Sequence, residues 1–250
     1  MAERGLPLVV GVDGSDSSLT AVDWAVDEAA RHRLPLRLVY ASLWERYEVG
    51  VSESAVERPS EQVMAENVVA SAAERARRRH PEVNVSTEVL PEDAVVALLR
   101  EGDHAAGLVT GSRGLGGLRG LLLGSVGLAV AARARCPVVV VRGDKAGLAG
   151  VHERILLGAG DPSTSDEAVR FAFREARARD CVLDVVRAWR RPAHEPAGHP
   201  LLTGELAHRH EEQASEALDE LLDEMTAAPR SIAYRTSSTL LCSWSLPRVF

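Results

Sequence analysis

The chain resembles itself when it is shifted by 147 residues, and this internal repeat limits its possible folds more than any other feature. Without a gap, Leu8–Val12 aligns with Ile155–Ala159, and Leu36–Ala41 aligns with Leu183–Ala188. A register kept over more than thirty residues indicates duplication of a strand–helix–strand unit rather than chance similarity. Six residues of the intervening helical stretch recur unchanged: Ser18, Ala21, Val22, Ala25, Glu28 and Ala29 recur as Ser165, Ala168, Val169, Ala172, Glu175 and Ala176.

The first part of the chain alternates apolar strands with amphipathic helices. A continuous apolar run such as Leu8–Val12 is typical of a strand buried on both faces. Strands that alternate with helices predict an α/β fold with a doubly wound, open, parallel sheet. The predicted strands are Leu8–Val12, Leu36–Ala41, Val83–Val89, Leu108–Thr110 and Val138–Val141, and the predicted helices follow the turn Asp13–Asp16 and cover about residues 60–79, 93–100 and 124–135, with a loop at residues 42–59.

The second part repeats this pattern only partly. After the small-residue linker Gly143–Val151 we predict the strands Ile155–Ala159, Val182–Ala188 and Ser231–Arg235, with helices at Thr164–Ala178 and about residues 205–226. Nothing there corresponds to residues 107–141, and residues 236–250 contain no acidic residue. We therefore expect a complete domain at 1–143, an incomplete second copy at 152–235 without the last strand, and an atypical tail at 236–250. A shifted reading frame and a natural truncation both explain such a tail.

Composition excludes several classes of function. The 250 residues carry a net charge of −7 and only 4% aromatic residues, which argues against a nucleic-acid partner. No apolar stretch reaches the roughly 18 residues of a membrane span, so we expect no membrane association. Cys136, Cys181 and Cys242 are far apart and lack metal-site spacing, which favours a reducing, cytoplasmic location.

A glycine-rich loop is the strongest chemical signal. Gly111-Ser112-Arg113-Gly114 follows an apolar strand, and Gly124-Ser125 opens a helix after nine further residues. Glycines let backbone N–H groups approach an anion closely, and a helix start adds free N–H groups, so the pattern suits a polyphosphate. The alternative is an ordinary strand-to-helix loop in which Ser125 caps the helix. The patterns GxxxxGK[ST] and GxGxxG are absent, because Lys145 lies elsewhere and Arg119 replaces the third glycine.

Asp13 is the second candidate, because it follows the first predicted strand directly. Ligands of open α/β sheets bind outside the carboxyl ends of strands, where the strand order reverses. If the first strand lies beside the strand that ends at Thr110, Asp13 faces the glycine loop. A carboxylate there can accept a hydrogen bond from a ribose hydroxyl or help to hold a metal ion. A turn or helix-cap aspartate is the alternative.

These residues together resemble the universal stress protein family. The resemblance rests on Val10–Ser15, on Gly111-x-x-Gly114-x(9)-Gly124-Ser125 and on Cys136–Val141. It covers residues 7–142 completely and 154–228 partly, and the glycine–serine spacing matches the ATP-binding signature of the family. The resemblance implies a five-stranded parallel sheet of order 3-2-1-4-5, with ATP and Mg²⁺ as ligands. It also implies a homodimer through the last strand, Val138–Val141, for which a buried edge strand is the alternative.

The resemblance also implies roles for individual residues. Asp13 would contact the ribose and the Mg²⁺ of Mg-ATP. The remaining residues would line the adenine pocket (Val12 and Ala41) or surround the phosphates (Gly111, Arg113, Gly114, Gly124, Ser125 and Val126). In the second copy Gly160 stands where the first has Asp13, and the glycine loop is missing, so we expect no ATP site there.

Three functions compete at this point. The favoured one is an ATP-binding regulatory protein of the stress response, in which the nucleotide changes conformation or dimer state and an unidentified protein partner reads the change. The second is a weak ATPase or nucleotidyl-transferring enzyme on the same fold, although the sequence offers no candidate general base near the loop. The third is an interaction module without a nucleotide, which the intact Gly111–Ser125 spacing argues against.

Overall fold

The computed structural model divides the chain into two compact units, Met1–Leu148 and Ala149–Phe250. The structure describes residues 5–43, 60–114, 124–143, 147, 153–160, 162–189, 212–213, 215–216 and 234–240, and all statements below concern these residues. Most of the predicted loop at 42–59, most of the predicted helix at 205–226 and the end of the tail at 241–250 lie outside them.

The first unit is an α/β layer structure around one parallel sheet. Among the described residues the sheet has five strands in the order β3-β2-β1-β4-β5, all paired in parallel, which confirms the predicted fold class and strand order. Its elements are β1 (Leu8–Gly11), α1 (Asp16–His32), β2 (Leu36–Ala41), α2 (Ser60–Arg79), β3 (Val85–Leu90), α3 (Ala94–Gly102), β4 (Gly107–Gly111), α4 (Ser125–Ala131) and β5 (Val138–Val141).

Two apolar clusters cover the two faces of this sheet. Alternate side chains of β1 point to opposite sides, because a strand has a period of two residues. Val10 packs with α1 and α2, whereas Val9 packs with Leu98 of α3 and Val130 of α4. Both strand residues are fully buried, which explains why β1 is a continuous apolar run.

Local signals set the ends of α1. Ser15 is its N-cap, and the Ser15 hydroxyl accepts a hydrogen bond from the N–H of Ser18. Gly14 before it has a φ of 83°, a conformation that favours glycine. At the other end Arg33 adopts the left-handed conformation with a φ of 55°, which ends the helix.

The second unit contains a smaller parallel sheet of order β6-β7-β8. Its described elements are β6 (Arg154–Gly158), α5 (Pro162–Arg179), β7 (Val182–Trp189) and β8 (Tyr234–Leu240). The register repeats the first unit at the 147-residue offset, because Leu8 pairs with Leu36 and Ile155 pairs with Leu183.

Two elements end four or more residues from their predicted limits, whereas the other described elements agree with their predicted bounds to within two residues. The strand predicted at Ser231–Arg235 is β8, which runs from Tyr234 to Leu240 and pairs along the whole of β7 from Leu183 onward. The composition change at residue 236 therefore falls inside a strand, and its threonines suit a strand because they are β-branched. The helix predicted to reach Arg135 ends at Ala131, because the chain must turn back so that the Pro137 carbonyl can accept a hydrogen bond from Leu108.

Candidate functional site

The sheet topology creates a crevice between β1 and β4. From β1 the chain proceeds outward to β2 and β3 on one side, and it then crosses to β4 on the other side. Leu8 pairs with Gly107 and Val10 with Val109, so the expectation that the first strand lies beside the strand through Thr110 is confirmed. The carboxyl ends of these two strands form the point where the strand order reverses, which is where open α/β sheets bind ligands.

Asp13 lies at this crevice and is held by its own turn. Its Oδ1 accepts hydrogen bonds from the backbone N–H of Ser15 at 3.0 Å and from the Ser15 hydroxyl at 2.6 Å. Its backbone N–H donates to the hydroxyl of buried Ser18 at 3.4 Å. Its Oδ2 would lie 2.6 Å from a Cβ placed on Gly114, so the carboxylate is packed against the glycine loop. Only glycine fits at position 114 without displacing Asp13.

The two halves of the glycine motif meet in space. The N–H of Gly124 donates to the carbonyl of Ser112 at 2.8 Å. A Cβ on Gly124 would lie 3.5 Å from the Cα of Arg113, which is ordinary contact distance. Residues 115–123, which join the halves, lie outside the described part of the chain. The structure therefore brings Gly111–Gly114 and Gly124-Ser125 together at the end of β4.

Ser125 does not cap α4, although the sequence allowed that alternative. Gly124 is the N-cap, with φ of −68° and ψ of 157°, and it provides no side-chain cap. Ser125 is the first helical residue and is exposed. Arg113 is exposed as well. The first N–H groups of a helix have no partner within it, so a glycine cap leaves them accessible to an anion.

The apolar site candidates Val12, Ala41 and Val126 do not lie in one apolar cluster. Val12 is only 5% exposed and packs in the apolar cluster on the α1–α2 side of the sheet. Val126 packs on the opposite side, in the cluster that contains Leu98. Ala41 ends β2 and is half-buried. The assignment of Val12 and Ala41 to an adenine pocket and of Val126 to the phosphates stays a prediction.

Sequence reasoning missed two residues beside the site, Ser17 and Tyr40. The Ser17 hydroxyl in the first turn of α1 accepts a hydrogen bond from the N–H of Arg113 at 3.2 Å. Burial raises the pKa of the Tyr40 hydroxyl, the negative charges of Glu61 and Asp13 raise it further, and a hydrogen bond with Ser42 opposes them. Tyr40 is thus a protonated hydroxyl near Asp13 at neutral pH. Its place near a strand end was the signal available in the sequence.

The second unit carries different groups at the corresponding strand end. Gly160 occupies the position of Asp13 at the 147-residue offset, and its N–H donates to the Ser165 hydroxyl at 3.1 Å, as Asp13 does to Ser18. Arg187, at the position of Tyr40, donates to the carbonyl of Gly160. The backbone arrangement is repeated, but glycine replaces the Asp13 carboxylate and arginine replaces the phenol of Tyr40.

Two further features bear on partners. Val138–Val141 forms the outermost strand β5, and its first three residues are half-buried, but dimerisation through this strand remains a prediction. Within the described ranges, no helix combines the length and the apolar character that crossing a membrane requires.

Comparison with known proteins identifies the family. The model of the Universal stress protein family matches residues 7–142 and 152–237, which is well over half of the chain. Universal stress protein Rv2623 of Mycobacterium tuberculosis is 40% identical over 137 residues, which cover 54% of this chain and 45% of that protein. The chain thus spans about half the length of the curated relatives it matches.

One solved structure supports the fold, and a second shows similarity only. A universal stress protein from Archaeoglobus fulgidus DSM 4304 superposes with a TM-score of 0.62 at 14% identity, covering 94% of this chain and 78% of that one. Another, from Archaeoglobus fulgidus, was solved in complex with dAMP; it has a TM-score of 0.42 and 19% identity, covering 56% of this chain and 99% of that one. The two matched segments and the strand order 3-2-1-4-5 confirm the resemblance seen in the sequence. The chain belongs to the universal stress protein family.

Proposed function

We propose that the first unit binds ATP in the crevice between β1 and β4 and that the protein acts as a nucleotide-dependent regulator. The observation that carries this proposal is the convergence of Asp13, Gly111–Gly114 and Gly124-Ser125 at the point where the strand order reverses. A carboxylate facing a glycine-rich loop and an uncapped helix start suits a ribose attached to a polyphosphate.

The phosphates would lie over the glycine loop and the start of α4. Backbone N–H groups there can donate to phosphate oxygens because glycine allows close approach. The Ser125 hydroxyl is exposed and can add a further donor. The exposed guanidinium of Arg113 can pair with two phosphate oxygens at once. Together these groups would recognise the polyphosphate rather than the base.

Asp13 would serve the ribose and the metal ion. Mg²⁺ prefers oxygen ligands and is commonly held by one carboxylate together with substrate phosphates. The Asp13 carboxylate lies against Gly114, beside the loop that would hold the phosphates, so the residues present fit such an ion. Bound Mg²⁺ would neutralise the repulsion between this carboxylate and the phosphates.

Regulation would follow from the difference between the empty and the occupied site. A ligand shifts a conformational equilibrium only as far as its affinities for the two states differ. Edge strand β5 pairs with β4, and the proposed site lies at the carboxyl end of β4. We propose that the protein dimerises through β5. We also propose that it contacts a protein partner in the cytoplasm. In the second unit Gly160 and Arg187 replace the carboxylate and its neighbour, so we propose no ATP site there.

Calorimetric titration with ATP and Mg²⁺ tests the proposal. We expect binding to the wild-type chain and a loss of at least about tenfold in affinity in Asp13→Ala, because removal of a charged partner typically costs more than 1.4 kcal/mol. Asp16→Ala is the matched control, since Asp16 is an exposed carboxylate in the same turn. No binding by the wild type would reject the proposal. Steady phosphate release that is lost in Asp13→Ala would instead place the protein among the enzymes.

A further inference from the structure

The first turn of α1 touches the beginning of the glycine loop, 96 residues further along the chain. The Ser17 hydroxyl accepts a hydrogen bond from the N–H of Arg113 at 3.2 Å and lies 3.5 Å from the hydroxyl of Ser112. A Cβ on Gly111 would lie only 2.7 Å from the carbonyl carbon and oxygen of Ser17. Helix and loop are therefore joined both by packing and by hydrogen bonding.

The other hydroxyls of this turn have different tasks. The Ser15 hydroxyl caps α1 and contacts Asp13. The buried Ser18 hydroxyl donates to the Ser15 carbonyl at 2.9 Å and accepts from the N–H of Asp13. Neither of these two roles requires Ser17. Its hydroxyl is directed to the loop instead of to its own helix.

We propose that Ser17 is a positioning residue that holds Gly111–Gly114 in the conformation that receives the phosphates. This inference rests on the proposed function, because it assigns a role within the same site. Ser17 fixes the loop at Arg113, and the bond from Gly124 to the Ser112 carbonyl fixes it one residue earlier. With both bonds formed, Gly114 lies against Asp13 before any ligand arrives.

The physical gain is preorganisation. A loop that is already ordered loses less conformational freedom when it binds, so more of the interaction energy remains as affinity. The Arg113 N–H is occupied by Ser17, which leaves the Arg113 side chain and the neighbouring glycine backbone to contact phosphate. Ser17 therefore acts through the loop and does not itself need to touch the ligand.

Three variants test this role: Ser17→Ala, Ser17→Thr and the control Thr20→Ala. Thr20 also lies in α1, but its hydroxyl bonds the Asp16 carbonyl of its own helix at 2.7 Å. Loss of one neutral hydrogen bond corresponds to about three- to tenfold in affinity, so Ser17→Ala should weaken ATP binding by that factor. Ser17→Thr keeps the hydroxyl and should restore affinity, and Thr20→Ala should match the wild type. Thermal unfolding of the four proteins checks that the fold is intact.

A second readout needs no ligand. Amide hydrogen exchange at Arg113, followed by NMR in the protein without nucleotide, should be about tenfold faster in Ser17→Ala and unchanged in Thr20→Ala. Unchanged exchange at Arg113, or equal ATP affinity in Ser17→Ala and the wild type, would overturn the assignment. If the wild type fails to bind ATP while the exchange effect is present, the proposed function is wrong and Ser17 holds the loop for another reason, which also overturns the role stated here.

Discussion

The first strands of the two units, β1 and β6, occupy equivalent positions but have different surroundings. Val9 in β1 is fully buried, whereas Leu156, its counterpart at the 147-residue offset, is 70% exposed. In the first unit, α3 and α4 cover this face through Leu98 and Val130. Among the described residues of the second unit no element does so. Within the described residues the two units therefore share the strand register but differ in how this face of the first strand is packed.

The ends of these strands show the same contrast in chemistry. Ser18 and Ser165 each accept a hydrogen bond from the backbone N–H of the residue five positions earlier, Asp13 or Gly160. The turn is therefore a property of the repeated unit, while the side chain at its tip is not. The proposed ATP site combines this repeated turn with the glycine loop at the end of β4.

The largest expected effect is a difference in stability between equivalent substitutions in β1 and β6, because Val9 is buried and Leu156 is exposed. Val9→Asp should destabilise the first unit by about 4 kcal/mol or more, because it places an unpaired carboxylate in the core. Leu156→Asp should change stability by no more than about 0.5 kcal/mol, because that side chain is exposed. Urea unfolding followed by circular dichroism measures both. Equal losses would contradict the difference in packing.

The next effect concerns the strand ends. Asp13→Asn keeps the size of the side chain but removes its charge, and we expect at least about tenfold weaker binding of ATP in the presence of Mg²⁺. Gly160→Asp places a carboxylate at the equivalent position of the second unit, and the number of bound ATP molecules should not rise. A second bound ATP in Gly160→Asp would show that the carboxylate alone decides binding.

A smaller effect distinguishes the helices that follow β1 and β6. In the first unit Asp27 of α1 pairs with Arg79 of α2, whereas the counterpart of Asp27 in α5 is Arg174. Both partners are partly exposed, so Arg79→Met should cost only about 0.5 kcal/mol near pH 7. The comparison variant is Arg78→Met, because the partner of Arg78, Glu74, lies on the same helix. Urea unfolding of both variants measures the difference in their free energies of unfolding. A larger loss in Arg78→Met would contradict the assignment.

The Asp27–Arg79 pair also predicts a pH dependence. Burial opposes ionisation of Asp27, but hydrogen bonding to Arg79 and His80 and their charges outweigh it, so the pKa of Asp27 lies below its usual 3.8. A lowered pKa in the folded state stabilises the protein above the unfolded value, and this contribution disappears as the pH falls below about 3.8 and through the folded pKa. The loss over that acidic range should be smaller in Arg79→Met than in the wild type. Equal pH profiles would show that the pair does not perturb Asp27.

The smallest expected change in stability concerns β4, a strand that has no counterpart among the described residues of the second unit. Thr110 in β4 is 5% exposed, and its hydroxyl has no hydrogen-bond partner within the described residues. Thr110→Val has nearly the same shape and removes the unpaired group, so it should stabilise the first unit by only about 0.3 kcal/mol. Urea unfolding would show a higher midpoint; a lower midpoint would mean that the hydroxyl is bonded after all.

Much of the fold follows from the sequence because local patterns and burial agree there. Leu36–Ala41, in which Arg37 is the only charged residue, and Val138–Val141 are strands with the predicted bounds, since their apolar and β-branched residues suit a parallel sheet. The limits of β8 and α4 were missed. β8 is set by pairing with β7, and the end of α4 by the return of the chain to Leu108. Such tertiary constraints leave little local signal.

The residues of the candidate site also fall into those that the sequence could predict and those that it could not. Asp13 and the glycines could be found because their types and spacing have a chemical reason. Ser17 could not, because one serine among several in a turn gives no sign of which hydroxyl meets a loop 96 residues away. Tyr40 could not be assigned either, since its environment depends on Glu61 and Asp13 from two other segments.

The central claim is that the chain has one ATP site, built by the first unit alone. Calorimetry with Mg-ATP on the wild type, Gly114→Ala and Gly158→Ala tests it most directly. A Cβ at position 114 would lie 2.6 Å from the Asp13 carboxylate, whereas one at position 158 meets nothing within 4 Å. We predict one ATP per chain, lost in Gly114→Ala and unchanged in Gly158→Ala. Absence of binding, two ATP per chain, or full affinity in Gly114→Ala would contradict the account.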